Sequence, residues 1–196
     1  MKAILGRKID ITRIFDKDGK TIPISIIEAD DCVITQIKKQ DKDGYDAAQI
    51  GFIKLNDKHQ TKTRKYRQLK EFKVKAEEIL SLKIGDSVKV NLFKPGDLVK
   101  VSGFSKGKGF QGTVKRHHFT TGPKTHGSDN YRQPGSIGAT YPQRTIKGRR
   151  MAGHMGRENV SVRNVEVIDI ISDKNLLLLK GPIPGIKGSV VAVVGK

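Results

Sequence analysis

Tryptophan is absent from this chain of 196 residues and cysteine occurs once, as Cys32. A single cysteine excludes an internal disulfide and a cysteine-rich metal site, and a reducing, intracellular setting is the default for such a chain. No apolar stretch approaches the roughly 20 residues needed to span a bilayer, so neither a membrane span nor a membrane partner is expected. The opening "MKAILGRKID" has no long apolar core and soon reaches Asp10, unlike a secretory signal. It also lacks the serine-rich, acid-poor character of a transit peptide.

Positive charge is what the chain has in excess. There are 38 Lys and Arg against 20 Asp and Glu, a formal net charge of +18. A protein this basic usually meets a polyanion, most often nucleic acid. The excess is unevenly spread. Residues 101–157 hold 11 Lys or Arg, one acid (Asp129), 11 of the 21 glycines and four of the five histidines. That stretch carries +10 (11 minus 1), which leaves +8 for the other 139 residues. Its apolar residues follow no period, apart from five scattered aromatics: Phe104, Phe110, Phe119, Tyr131 and Tyr141. Such a segment cannot bury enough apolar surface to fold alone, and a loop of this length is either functional or disordered. The aromatics and the dense glycines favour function over a solvated linker.

The flanks read as β. "IDITRIF" alternates up to the turn signal "DKDG" at 16–19, and "KTIPISIIEAD" resumes the alternation. "CVITQIKKQ" leads to a second "DKDG" at 41–44 and then "YDAAQIGFIKL"; "DSVKVNLF", the turn "KPGD" and "LVKVSGF" follow. After the basic stretch come "VSVRNVEVIDIIS", "NLLLLKG" and "GSVVAVVG", all rich in β-branched or aliphatic residues. Several short strands at this spacing predict an antiparallel barrel or sandwich. The one helical spacing is "VKAEEILSL" at 74–82. The predicted fold is mainly β: a barrel formed by 1–100 and 158–196, interrupted by one long, largely irregular basic loop at 101–157.

Inside that loop, "SKGKGFQGTVKRHHF" (105–119) spells G-x-G-x-x-G through Gly107, Gly109 and Gly112. A dinucleotide fingerprint needs a strand before it, a helix after it and an acid about 20 residues on. "LVKVSGF" and Asp129 supply two of the three, but "TVKRHHFTTGPKTHGSDN" predicts no helix, so a pyrophosphate has no dipole to sit on. The kinase version also needs a strand lysine, an H-R-D loop and a D-F-G magnesium ligand, and the sequence has none of them. A different use of the glycines fits better. They let backbone N–H groups approach phosphates, while Lys106, Lys108, Lys115 and Arg116 add charge between them. His117, His118 and Phe119 offer rings for stacking on bases or sugars. The same grammar recurs in "KGRRMAGHMGR" (147–157), with Lys147, Arg149, Arg150 and Arg157 around Gly148, Gly153 and Gly156. The histidines lack metal-ligand spacing and have one carboxylate nearby, so ligation is disfavoured. A second basic run at 58–75 has eight Lys or Arg and one acid, Glu71. Pattern alone leaves it open between a solvated face and a second polyanion contact.

"SGFSKGKGFQGTVKRHHF", "THGS", "QPGSIGA" and "KGRRMAGHMG", in this order, resemble the bacterial form of large-subunit ribosomal protein three. "ILGRKIDITRIF" and "NLLLLKGPIPGIKGS" carry the likeness over nearly the whole chain. The resemblance implies a translation-protein-type β-barrel with a long loop penetrating the large subunit, and a structural, non-catalytic role in the cytoplasmic ribosome. It implies binding to large-subunit rRNA near its 3′ end, support of early assembly, and a loop tip (Gln133 to Arg144) approaching the peptidyl-transferase centre. To the rRNA-binding candidates it adds Phe110, Lys124, His126, Arg132, Gln133, Pro134, Gly135, Ser136, Gly138, Arg144, Met151 and His154. Implied partners are the rRNA and neighbouring large-subunit proteins thirteen, fourteen and nineteen. No cofactor or small-molecule substrate is expected, and Mg2+ is associated with the rRNA rather than with a protein site. Some relatives carry a methylated glutamine after "GSIG"; here that place is Ala139, so no modification is expected there. A nucleotide-binding enzyme and an architectural DNA-binding protein stand as alternatives, separable by nucleotide titration and by competition between rRNA and duplex DNA.

Overall fold

The computed structural model describes residues 1–196 except Lys17, Asp31, Lys62, Thr63 and Leu80. Parts of the first "DKDG" turn, the basic run at 58–75 and the helical spacing at 74–82 thus lie outside the described residues. The strands are β1 (Ala3–Phe15), β2 (Thr21–Glu28), β3 (Cys32–Lys38), β4 (Ala47–Lys54), β5 (Tyr66–Lys73) and β6 (Ser87–Val88). They continue as β7 (Leu98–Phe104), β8 (Gly109–Gln111), β9 (Gly153–Met155), β10 (Asn159–Ile171), β11 (Leu176–Lys180) and β12 (Val190–Gly195). Among the described residues there are also three α-helical turns, α1 (Gln40–Asp43), α2 (Ala76–Ile79) and α3 (Thr113–His117), and three 3-10 turns, at Asp57–His59, Val90–Leu92 and Ser172–Lys174. The chain divides into two compact units, residues 1–105 with 159–196, and Lys106–Glu158.

The first unit contains a closed antiparallel barrel in the order β1-β12-β7-β10-β11-β2. Closure removes the exposed edges on which an open sheet would aggregate. The barrel agrees with the alternation read along the sequence. β1 and β2 are joined across residues 16–20, where the Asp16 N–H donates to the Lys20 carbonyl at 2.9 Å and Gly19 takes φ +75°. Glycine enters that left-handed region without the Cβ penalty that other residues meet.

A second sheet, in the order β5-β4-β3-β6, belongs to the same unit. Its presence explains an oddity in β1, where Ala3, Ile4, Leu5 and Gly6 are buried in succession. Neighbouring side chains on a strand point to opposite faces. Ile4 pairs with Val193 and Leu5 with Ala192, and one contiguous core joins these to Ile34, Ile50 and Phe72 of the second sheet. Both faces of this end of β1 are therefore covered. Gly6 is forced by the same packing: a Cβ there would stand 2.3 Å from the Ile27 Cγ2 and 2.9 Å from the Glu28 carbonyl.

One reading of the sequence needs revision, and two others gain detail. "DSVKVNLF" keeps two strand residues and then a 3-10 turn at Val90–Leu92. That turn puts residues three apart on one side, and it buries both Val90 and Phe93, at 1 % and 2 % exposure. "VKAEEILSL" yields one helical turn, whose Ile79 joins Val74 and Ala48 in a small satellite core. The basic run contains a true strand, β5, paired with β4 from Ala47↔Lys73 to Lys54↔Tyr66.

Candidate nucleic-acid interface

In the second unit, sequence-distant halves of the basic segment meet at a short ladder. β8 pairs with β9 (Gly109↔Met155, Phe110↔His154, Gln111↔Gly153), and the Lys108 N–H donates to the Met155 carbonyl at 2.9 Å. The two basic motifs are thus brought side by side. Gly156, at φ +77°, crosses so close to the opposite chain that a Cβ would lie 2.2 Å from the Lys106 carbonyl.

The expectation that no helix follows Gly112 is wrong. α3 begins there, with the Arg116 N–H donating to the Gly112 carbonyl at 2.9 Å, and it ends at His118 with φ +59°. Propensity did not predict it because tertiary bonds hold it. The Arg116 guanidinium donates to the Met151 carbonyl at 2.8 Å, and the His117 Nε2 lies 3.0 Å from the same oxygen. Gly153 makes room for that guanidinium: a Cβ there would sit 2.6 Å from Nη1. Thr113 at the start of α3 is the one buried residue of 106–158, at 4 % exposure. No feature of the sequence singled it out.

α3 has five residues, and Gly109 is committed to the ladder with Met155. The G-x-G-x-x-G therefore builds a strand and a turn rather than a phosphate cradle at the head of a long helix. Among the described residues, no group of three His, Cys, Asp or Glu is placed to hold a metal ion.

Arg116, His117, Met151, Gly153 and Gly156 serve the segment's own fold. Gly135 and Gly148, in the exposed run, differ: nothing lies within 4 Å of a Cβ built on either, so that side of the backbone is open. Phe110 is 77 % exposed. His117 and Phe119 lie with ring centroids 6.1 Å apart, and the Lys124 ammonium sits 5.4 Å over the Tyr131 ring. His118, Lys106, Lys108, Lys115, His126, His154 and Arg157 are exposed.

Residues 132–150 are exposed without interruption. They include Arg132, Gln133, Pro134, Arg144 and Lys147, together with Arg149 and Arg150, and no acid. Tyr141 is 86 % exposed and Ile146 59 %. Some internal bonding persists. The Arg149 guanidinium donates to the Ser136 carbonyl, and the Ser136 hydroxyl donates to the Gly138 carbonyl at 3.0 Å. Ion pairs such as Arg7–Glu28, Lys38–Glu71 and Lys180–Glu166 lie in the barrel-containing unit.

The fold is a closed β-barrel with a cationic segment, Lys106–Glu158, inserted between its strands β7 and β10. The comparisons give it a family. The family model described as "Ribosomal protein L3" matches residues 26–181. A relative named "Large ribosomal subunit protein uL3" from Finegoldia magna is 43 % identical over 204 residues, covering 98 % of this chain and 97 % of the relative. Another of the same name, from Dehalococcoides mccartyi, is 46 % identical over 201 residues, with the same coverage. The chain belongs to the ribosomal protein L3 family. It is a structural constituent of the large ribosomal subunit in the cytoplasm, not an enzyme.

Proposed function

We propose that Lys106–Glu158 threads among helices of the large-subunit rRNA and holds them together by charge neutralisation. The observation that carries this reading is the uninterrupted exposure of 132–150, with five Lys or Arg and no acid. Nineteen exposed residues that include Tyr141, Ile137 and Ile146 form a surface that gains by being covered. RNA can cover it, because phosphates take the cations and the open glycine backbones, while bases stack on the rings. In this reading the β8–β9 ladder and the Arg116–Met151 bond form a stiff stem. The tip, Gln133 to Arg144, reaches toward the peptidyl-transferase centre, and the contact lies near the 3′ end of the rRNA, where it supports early assembly. The barrel faces neighbouring large-subunit proteins.

Binding to an rRNA fragment from the 3′ region, measured across salt concentrations, tests this. With about six to eight phosphate contacts, log K falls with log salt at a slope of roughly 4 to 7. Charge reversal at Arg149 and Arg150 lowers affinity more than the same change at Lys20 and Lys174, which lie in turns of the first unit. A slope near 1, or equal losses from the two pairs, overturns the proposal.

A further inference from the structure

The first unit contains a groove of about 540 Å3 between β5 and the outer wall of the barrel. Its lining includes Ser102 of β7 and Ala192 of β12, which pair with each other. Three cations line it: Arg7 of β1, and Arg67 and Lys70 of β5; its lining has no acid. Arg7 is spoken for, since its guanidinium contacts the Glu28 carboxylate at 2.7 and 3.1 Å. Arg67 is exposed and Lys70 is partly buried, and neither joins any of the ion pairs named for this unit. Burial, then the nearby Lys100, pushes the Lys70 ammonium below the usual lysine range. A half-buried cation with a second cation beside it is a site that gains from an anion.

Two further residues lining the groove bring a different chemistry. Phe104, 61 % exposed, also lines it, and across the ladder stands its partner Asn159. A flat, wet aromatic ring beside a carboxamide is a place for a nucleobase: the ring stacks and the amide reads an edge. We infer that this groove is a second RNA-binding site, taking an unpaired rRNA segment with its phosphates on Arg67 and Lys70 and one base on Phe104. An acidic peptide would satisfy the cations but would leave the ring and amide without a matched partner. Duplex RNA is disfavoured because its bases are stacked out of reach. The inference rests on the proposed rRNA binding for the identity of the polymer, while its residues lie wholly outside the extension.

The test uses the full chain. The double variant Arg67→Gln with Lys70→Gln removes two phosphate contacts, so the salt slope for the rRNA fragment falls by about 1.4 to 1.8. Affinity at 0.1 M salt falls by roughly thirtyfold on the same basis. Arg67→Lys with Lys70→Arg keeps the charge and retains the slope. Ultraviolet irradiation of the unaltered complex gives an RNA adduct on Phe104. A steep wild-type slope that the Gln variant leaves unchanged overturns the inference and spares the proposed function. So does loss of a neighbouring ribosomal protein from the variant with the rRNA slope intact, which would make the groove a protein contact. Adducts found on 106–158 but absent from Phe104 also overturn it, and that measurement needs no substitution. A wild-type slope near 1 removes both readings.

Discussion

Replacing Lys106–Glu158 by a four-residue Gly/Asn linker between Ser105 and Asn159 should leave a folded barrel. Phe104 and Asn159 are direct partners in the β7–β10 ladder, so the two ends already stand about 5 Å apart. A short hairpin loop closes that distance. Every buried hydrophobic residue lies in 1–105 or 159–196, so the deletion removes no apolar core. What it removes is a long closure. Going from 53 residues to 4 is a roughly 13-fold shortening, between three and four halvings at about 0.6 kcal/mol each. The truncated unit should gain up to about 2 kcal/mol, less whatever internal order the extension already has. For a domain of this size that raises Tm by as much as about 4–8 °C. Far-UV circular dichroism on heating and urea titration read the change, and rRNA affinity should fall steeply in the same sample. A lower Tm, or loss of the cooperative transition, would refute the reasoning and make the extension part of the fold.

Gly6→Ala should destabilise by about 1–3 kcal/mol, because the new methyl meets Ile27 and the Glu28 carbonyl, and backbone cannot move aside as a flexible side chain can; the urea midpoint measures it. Glu71 accepts from the Lys38 ammonium at 2.8 Å and from the Tyr45 hydroxyl at 2.8 Å, and these bonds, Lys38 first, hold its carboxyl below the usual range. A carboxyl depressed in the folded state stabilises fully above its unfolded pKa and stops doing so as pH falls through the folded one. The Tm difference between wild type and Glu71→Gln should therefore shrink from pH 6 to pH 3; a difference that grows on acidification would contradict the assignment. Alanine has no side-chain nitrogen, so the peptide spanning Gln133 to Arg144, taken from native ribosomes, should show its unmodified mass. An added methyl group would place the modification on another residue.

The sequence by itself determined which stretches form most of the strands, though not that β3 to β6 leave the barrel to make a second sheet. Alternating apolar residues in "TIPISII", "LVKVSGF" and "VEVIDII" became β2, β7 and β10, because a half-buried strand writes its two faces into alternate positions. Charge segregation marked out the extension, since a stretch with eleven cations, one acid and no apolar period has no core to join. The ordered motifs were specific enough to identify the family. Only the tertiary structure decided what lies against what. β5 was hidden in a basic run because an edge strand buries few side chains, here chiefly Phe72, and is recognisable only once β4 pairs with it. α3 exists because the Met151 carbonyl, 35 residues away, accepts from Arg116. β1 is buried on both faces because a second sheet covers the outside of the barrel, and the groove beside β5 exists where that cover stops short. Periodicity reports one strand and its own faces; partners, covers and gaps between elements are fixed by contacts that the local sequence does not encode.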